Sequence, residues 1–368
     1  MTQHATRITT ADHAVTVLSQ TSAVTDWMIR YFGQWWNATS ATAPFSGPLV
    51  TAEVDPAAVA TYTRNVTDRP HQETTYANAR LLHSRTGDHT ITATQPDEHL
   101  AYRSEPDHLH IVGREPLPVC LAAARLAREV VRGQLLADGW SILHASAVVN
   151  PDGQTVLTLG GKGAGKTTTA LLLARAGWRL LANDRVFVRP DSHGIRVLPW
   201  PSAAAIGLGL LDALDLYDPV RERTQRGECL HPTQHQDVTN ALTTGRRKPL
   251  WNEKGKELKP QFFPDQLTEW LGLTLATEGR AAHILFPCIT PATTPALTNN
   301  DRALTMDDFF NSTTEDRYPD VFGLLPTEQL TPEHTLDLLR RLPHHTLTLS
   351  HDEKDNMTFL AGLLVGRG

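Results

Sequence analysis

Gly160-Gly161-Lys162-Gly163-Ala164-Gly165-Lys166-Thr167 is the stretch on which the fold reading turns. It fills the pattern G-x-x-x-x-G-K-[ST], in which four positions are fixed. At average residue usage, a chain of this length meets that pattern by chance about one time in a hundred. The flanks lower those odds, because Thr155 to Leu159 reads as a strand and Thr168 to Ala176 as a helix closed by Gly177. Glycines let successive backbone N–H groups turn inward into an anion-binding nest. The following helix aims its positive end at the same point. Lys166 supplies a mobile ammonium for the β- and γ-phosphates. The Thr167 hydroxyl is a Mg²⁺ ligand of the hard oxygen kind that ion prefers. Gly160, Gly161, Lys162, Gly163, Ala164, Gly165, Lys166 and Thr167, with Thr168 beside them, are the expected nucleotide contacts, and ATP with Mg²⁺ the expected cofactors. The blander alternative is a glycine-rich turn with an incidental lysine.

On either side of the loop stand two candidate chemical groups. Arg179 to Ala182 reads as the next strand, and Asn183-Asp184 ends it. In a doubly wound sheet, strand C-termini line up beside the phosphate loop. Asp184 can therefore hold Mg²⁺ through a water or accept a proton from an attacking hydroxyl. Its other reading is a turn aspartate paired to Arg185. His144 lies in the run Ile142 to Val149, read as the strand before the loop's own. A histidine there can meet metal, phosphate or acceptor, though a lone histidine is more often a core or surface residue.

Further out, the chain divides by composition. Residues 1–117 read as a smaller mixed α/β or β-rich region, with a helix whose apolar stripe runs Val24, Trp27, Met28, Tyr31, Phe32, Trp35, Trp36. Short strands are expected at Leu49 to Val54, Thr90 to Thr94 and His108 to Val112. Residues 118–368 form the expected phosphate-loop domain. It opens with a helix, Val119 to Ala137, whose Arg125, Arg128, Glu129 and Arg132 read as a solvated face. Downstream, Ala282 to Phe286 reads as a strand and Thr331 to Arg341 as a helix capped by Thr331.

Several weaker candidates remain. Cys229, His231 and His235 resemble part of a metal cluster, but no fourth ligand has zinc spacing. Arg246 to Lys248 and Lys254 to Lys259, beside Trp251 and Phe262-Phe263, read either as a solvated loop or as a lid or acceptor groove that adds positive charge over the phosphates. Arg280 can clamp phosphate or pair with Glu278, and Asp307-Asp308 reads as a helix start.

Composition narrows the partners. The 368 residues carry 34 Lys+Arg against 40 Asp+Glu, a net charge of −6, which disfavours general nucleic-acid binding. Ala203 to Leu216, the most apolar stretch, is broken by Asp212 and Asp215, so no membrane span is expected. The first twelve residues lack the apolar core of a secretory signal. Three scattered cysteines suit a reducing cytoplasm.

Three segments together resemble a known family: His144-Ala-Ser-Ala-Val-Val, the run from Val156 through the loop to Leu171, and Gly177-Trp-Arg-Leu-Leu-Ala-Asn-Asp-Arg-Val. In order and spacing, from His144 to Pro201, they look like the HPr serine kinase/phosphorylase family. The His-x-Ser-Ala start is also similar to the ATP-dependent phosphoenolpyruvate carboxykinases. The resemblance implies an α/β, P-loop HPr kinase-like core. It also implies transfer of the γ-phosphoryl group of MgATP to a hydroxyl, with Lys166, Asp184 and His144 as catalytic residues and Thr167 and Asp184 as metal ligands. The family has two adjacent acids where this chain has Asn183-Asp184, and asparagine is no base at neutral pH. The chain looks more like the HPr-kinase-related enzymes that accompany natural-product or peptide-tailoring pathways than like the regulatory kinase itself. Some of those enzymes phosphorylate a serine on a small peptide, so a Ser/Thr of a peptide or protein is the expected acceptor, with a small metabolite as the alternative. A non-catalytic ATP sensor is the competing class, and homo-oligomerisation stays open.

Overall fold

The computed structural model describes residues 3–87, 89–299, 302–311, 315–328 and 331–365. Two compact units divide the chain: Met1–Trp140 with Asn311–Leu330, and Ser141–Phe310 with Thr331–Gly368.

The first unit is built on nine strands: β1 (His4–Thr10), β2 (His13–Ser19), β3 (Thr39–Ser40), β4 (Leu49–Val54), β5 (Gln72–Tyr76), β6 (Ala79–Thr86), β7 (Thr90–Gln95), β8 (Leu100–Glu105) and β9 (His108–Gly113). They form one mixed sheet in the order β3-β1-β2-β4-β9-β8-β7-β6-β5. The pairs β2/β4 and β4/β9 are parallel, and the remainder are antiparallel. Helix α1 (Ser22–Phe32) packs on β1 and β2, and α2 (Pro56–Thr67) packs on β6 to β9. Asp55 starts α2 by accepting from the N–H groups of Ala57 and Ala58, the expected work of an aspartate N-cap before Pro56.

Helix α3 (Pro116–Ala137) belongs to this unit, whereas the sequence reading assigned its residues to the phosphate-loop domain. Its apolar face is covered by α1, β2, β4 and β9. The expected solvated face is corrected as well. Arg128, Glu129 and Arg132 are all buried. Arg132 donates to Glu129 at 2.8 Å and to Asp316 at 2.7 Å, and Arg128 donates to Glu129 at 3.2 Å. The helical spacing of the charges is real, but the returning segment around Asp316 covers them. The segment also seats Phe322 against Tyr76 and Tyr102, and Tyr318 against Tyr76.

The second unit carries β10 (Ser141–Leu143), β11 (Ser146–Val149), β12 (Gln154–Thr158), β13 (Arg179–Ala182), β14 (Val186–Asp191) and β15 (Gly194–Pro199). Four two-residue strands follow, β16 (Ala204–Ala205), β17 (Leu250–Trp251), β18 (Glu257–Leu258) and β19 (Gln261–Phe262), pairing β16 with β19 and β17 with β18. Then come β20 (Gly279–Ile289), β21 (Ala296–Leu297) and β22 (His344–Leu349). The main sheet runs β10-β14-β15-β20-β12-β11-β13, with β22 pairing β20 and β21. It is mixed rather than doubly wound: β12 is parallel to β20 but antiparallel to β11, which is antiparallel to β13. Alternate residues Ala147, Val149, Leu157, Leu159, Ile284 and Phe286 join Leu336 and Leu339 in one apolar core. Helix α4 (Lys166–Arg175) packs on β11, β12, β13 and β20.

Two expected boundaries shift. Ile142 to Val149 is two strands, broken at His144-Ala145, because the His144 N–H turns to the carbonyl of Asp308 at 2.9 Å. The helix near the C-terminus spans Glu333–Leu339 with Pro332 as its cap.

Candidate functional site

The quoted loop runs from the end of β12 into the first residue of α4, Lys166. Its two motif glycines are fixed by contact. A Cβ on Gly165 (φ +108°) would lie 2.8 Å from Ile289, and one on Gly160 (φ +150°) would lie 2.8 Å from the Ala164 Cβ. Gly161 has open space around it. The β20 end therefore backs the loop, and only glycine fits at the α4 start. Lys166 Nζ donates to the carbonyls of Gly160 at 2.6 Å and Gly161 at 3.2 Å, so the ammonium sits over the loop. Thr167 and Thr168 are half-buried in the first turn of α4, whereas Lys162 and Gly163 are exposed.

Strand directions bring the other expected residues to this edge. β13 runs the same way as β12, one strand removed, so Asn183 and Asp184 leave the sheet on the loop side. Ser146 Oγ donates to the Asn183 carbonyl at 2.5 Å, tying the start of β11 to the end of β13. Asp184 is 61% exposed and only 3.9 Å from Arg185 Nε, so its carboxylate is not consumed by that pair. The Arg185 guanidinium lies instead over the Phe310 ring, at 4.7 Å. His144 sits in the break between β10 and β11, not within a strand, with its ring 5.9 Å from that of Phe310.

Electrostatics link these groups. Burial holds Lys166 below the ordinary lysine range, with Asp184 and Asp308 pulling it up and Arg302 and Lys259 pushing it down. Two cations thus flank the ammonium. Arg302 donates to Asp308 at 2.5 Å, lies over Phe286 at 4.5 Å, and would stand 3.8 Å from a Cβ on Gly160. Lys259 pairs with Glu257 at 3.1 Å. Lys259 fell within a basic run noted in the sequence, but Arg302 has no local signal; it is brought in by a segment far along the chain. Asp308 ends a single 3-10 turn, Met306–Asp308, rather than starting a helix.

The weaker candidates resolve differently. Arg280 pairs β20 with Gln154 at the start of β12, the opposite end from the loop, and donates to both Asp191 oxygens at 2.8 and 3.0 Å. That guanidinium holds the Asp191 carboxyl down at about 2. Glu278 pairs with Arg196 instead. His231 is buried against Phe263 and Thr233, and His235 caps the helix Gln236–Thr244. A cavity of about 420 Å³ lies in the first unit, lined in part by Arg85, His89, Ser104, His108 and Phe322, and not at the loop. At the loop, by contrast, the charges of Lys166, Arg302, Lys259, Asp184 and Asp308 act on one another.

A glycine loop at a helix start, an ammonium over it, hydroxyls behind it and a largely exposed carboxylate beside it form a site suited to the phosphates of a nucleotide. Comparison with known proteins gives the relationship. A curated HPr kinase/phosphorylase of Caldicellulosiruptor bescii is 30% identical over 141 residues, 37% of this chain and 40% of that protein. A solved HPr(Ser) kinase/phosphatase from Coxiella burnetii covers 43% of this chain and 65% of its own, at 13% identity and a TM-score of 0.22. No protein-family model matches the chain. The chain is related to HPr kinase/phosphorylase, as the three sequence segments implied, and it spans about 40% of the length of that curated relative. Among the described residues, no helix is long and apolar enough to cross a membrane.

Proposed function

We propose that this protein is an ATP-dependent phosphotransferase that moves the γ-phosphoryl group of MgATP to a hydroxyl, in the cytoplasm. The observation that carries the reading is Lys166 Nζ held over the carbonyls of Gly160 and Gly161 at the start of α4. Gly160 to Thr168 bind the phosphates through backbone N–H groups and hydroxyls. Lys166 neutralises charge on the transferring group, and Arg302 and Lys259 add positive potential. The oxygen donors Thr167 and Asp184 fit Mg²⁺, which would hold the phosphates in line and offset their charge. The acceptor oxygen forms a bond to the γ-phosphorus, the bond to the β-phosphate bridging oxygen breaks, and ADP leaves. Asp184 takes the hydroxyl proton, since Asn183 has no basic group. His144, facing the same edge, orients the acceptor. The acceptor is a Ser/Thr of a peptide or protein. The basic run ending at Lys259 supports this, because it brings positive charge toward Lys166 where an acceptor side chain would enter. Peptide tailoring is the setting we favour, and self-association is compatible with it.

The test is incubation of the protein with γ-labelled ATP, Mg²⁺ and cell extract. Label is expected on a proteinaceous acceptor, reduced roughly 100-fold or more by Lys166→Ala, as loss of a main charge stabiliser does. ATP bound without transfer would instead identify a nucleotide sensor. Absence of any heat with MgATP in calorimetry would remove the reading altogether.

A further inference from the structure

The first unit holds a side-chain cluster that phosphoryl transfer does not use. β8 ends at Glu105 and β9 begins at His108, and these two residues face each other across the hairpin. His108 and His110 flank the buried Leu109 and so share one face of the sheet. Single donor atoms of Glu105, His108 and His110 all lie within 4.8 Å of one another. Among the described residues, this is the one group of three or more His, Cys, Asp or Glu side chains with such mutual spacing.

The distances have metal-site character. His110 Nε2 is 3.2 Å from His108 Nδ1. Two Zn–N bonds of about 2.0–2.1 Å at a tetrahedral angle put their nitrogens about 3.3 Å apart. The two rings therefore stand at the edge length of a zinc tetrahedron. His108 Nε2 lies 2.9 Å from Thr51 Oγ1 on neighbouring β4. When that nitrogen donates to the hydroxyl, Nδ1 keeps its lone pair toward His110. Metal-binding imidazoles are fixed by such an outer hydrogen bond. Arg103 donates to Glu105 Oε1 at 2.6 Å, which directs the carboxylate and leaves its second oxygen available. All three side chains are half-buried, so each is held in place yet reachable by an ion.

We infer that Glu105, His108 and His110 bind a divalent transition-metal ion of the zinc type, with a fourth position left for water or a small ligand. Two imidazoles and one carboxylate suit Zn²⁺, whereas Mg²⁺ and Ca²⁺ take oxygen donors. Glu105 and His108 also line the 420 Å³ cavity. The competing explanation is a neutral imidazole pair in which one ring N–H donates to the other ring's nitrogen at the same distance.

The test is calorimetric titration of the whole chain, stripped by chelator and free of nucleotide, with zinc chloride. One equivalent is expected to bind, and cobalt chloride is expected to give the visible absorption of a low-coordinate site. His110→Ala and Glu105→Gln should each weaken zinc binding tenfold or more with unchanged circular dichroism. Cys229→Ser, which removes the thiol that precedes His231 and His235 in the sequence, should leave it unaltered. Glu105→Gln keeps the side-chain shape and decides the matter should His110→Ala lose its fold. No heat with zinc, or unchanged affinity in Glu105→Gln and in a folded His110→Ala, overturns the assignment in favour of the imidazole pair.

Discussion

Lys166 sets the pH behaviour of the candidate site. Burial lowers the proton affinity of its ammonium below that of an ordinary lysine, and the nearby Arg302 and Lys259 lower it further. Phosphate oxygens favour the charged form, so the same group binds its proton more tightly once nucleotide is seated. The sign follows directly. Below the lowered value, the lysine is charged with and without nucleotide and contributes no pH dependence. Between the lowered and the raised value, binding takes up a proton, and affinity falls as pH rises, at most tenfold per pH unit. Calorimetry of MgATP binding in two buffers of different ionisation enthalpy should therefore detect proton uptake on the alkaline side. Lys166→Arg, whose guanidinium stays charged throughout, should abolish that uptake. Equal uptake in both proteins would mean that another group titrates.

Among the elements, the loop between β12 and α4 was the most legible, and sterics explain why. The motif fixes Gly160 and Gly165, and those are the positions where a Cβ would come within 2.8 Å of a neighbour. Gly161, at a free motif position, has nothing within 4 Å. Gly165→Ala is expected to combine a left-handed backbone penalty of about 1–2 kcal/mol with displacement of the loop from Ile289. Thermal unfolding should show a loss of a few degrees, and MgATP affinity should fall at least tenfold. Gly161→Ala should leave the melting temperature within about one degree, since a surface change of this kind costs under 0.5 kcal/mol. Equal effects of the two substitutions would contradict this account. Elements shaped by distant residues were less readable. The strand-like run Ile142 to Val149 shows no glycine or proline, and only the Asp308 carbonyl, far along the chain, reveals the break at His144. The same distance hid Arg302.

For the molecule as a whole, the chain leaves the first unit at Trp140 and returns to it from Asn311 to Leu330 before finishing in the second. Local periodicity cannot report such a return. The charged stripe on α3 has the spacing of a solvated face, and it is buried only because Asp316 and its neighbours come back to cover it. Arg132, 1% exposed, is held by Glu129 and Asp316 together. Gly133 permits the approach: a Cβ there would stand 1.9 Å from the Leu324 carbonyl oxygen. Removing one partner of a buried pair costs roughly 3–5 kcal/mol, because the remaining charge is stranded out of water. Asp316→Ala is expected at the low end of that range, since Glu129 still holds Arg132 at 2.8 Å. The loss should appear in urea unfolding of the first unit. It should also loosen the returning segment, so that trypsin cuts after Arg317 faster than in the unaltered protein. Unchanged stability and unchanged cleavage at Arg317 would mean that Phe322 and Tyr318, packed edge-on against Tyr76, hold the segment without the ion network. A quadruple replacement of Arg128, Glu129, Arg132 and Asp316 by apolar residues of similar volume separates stranded charge from lost contact. It should recover most of the stability, because no charge then remains to be desolvated.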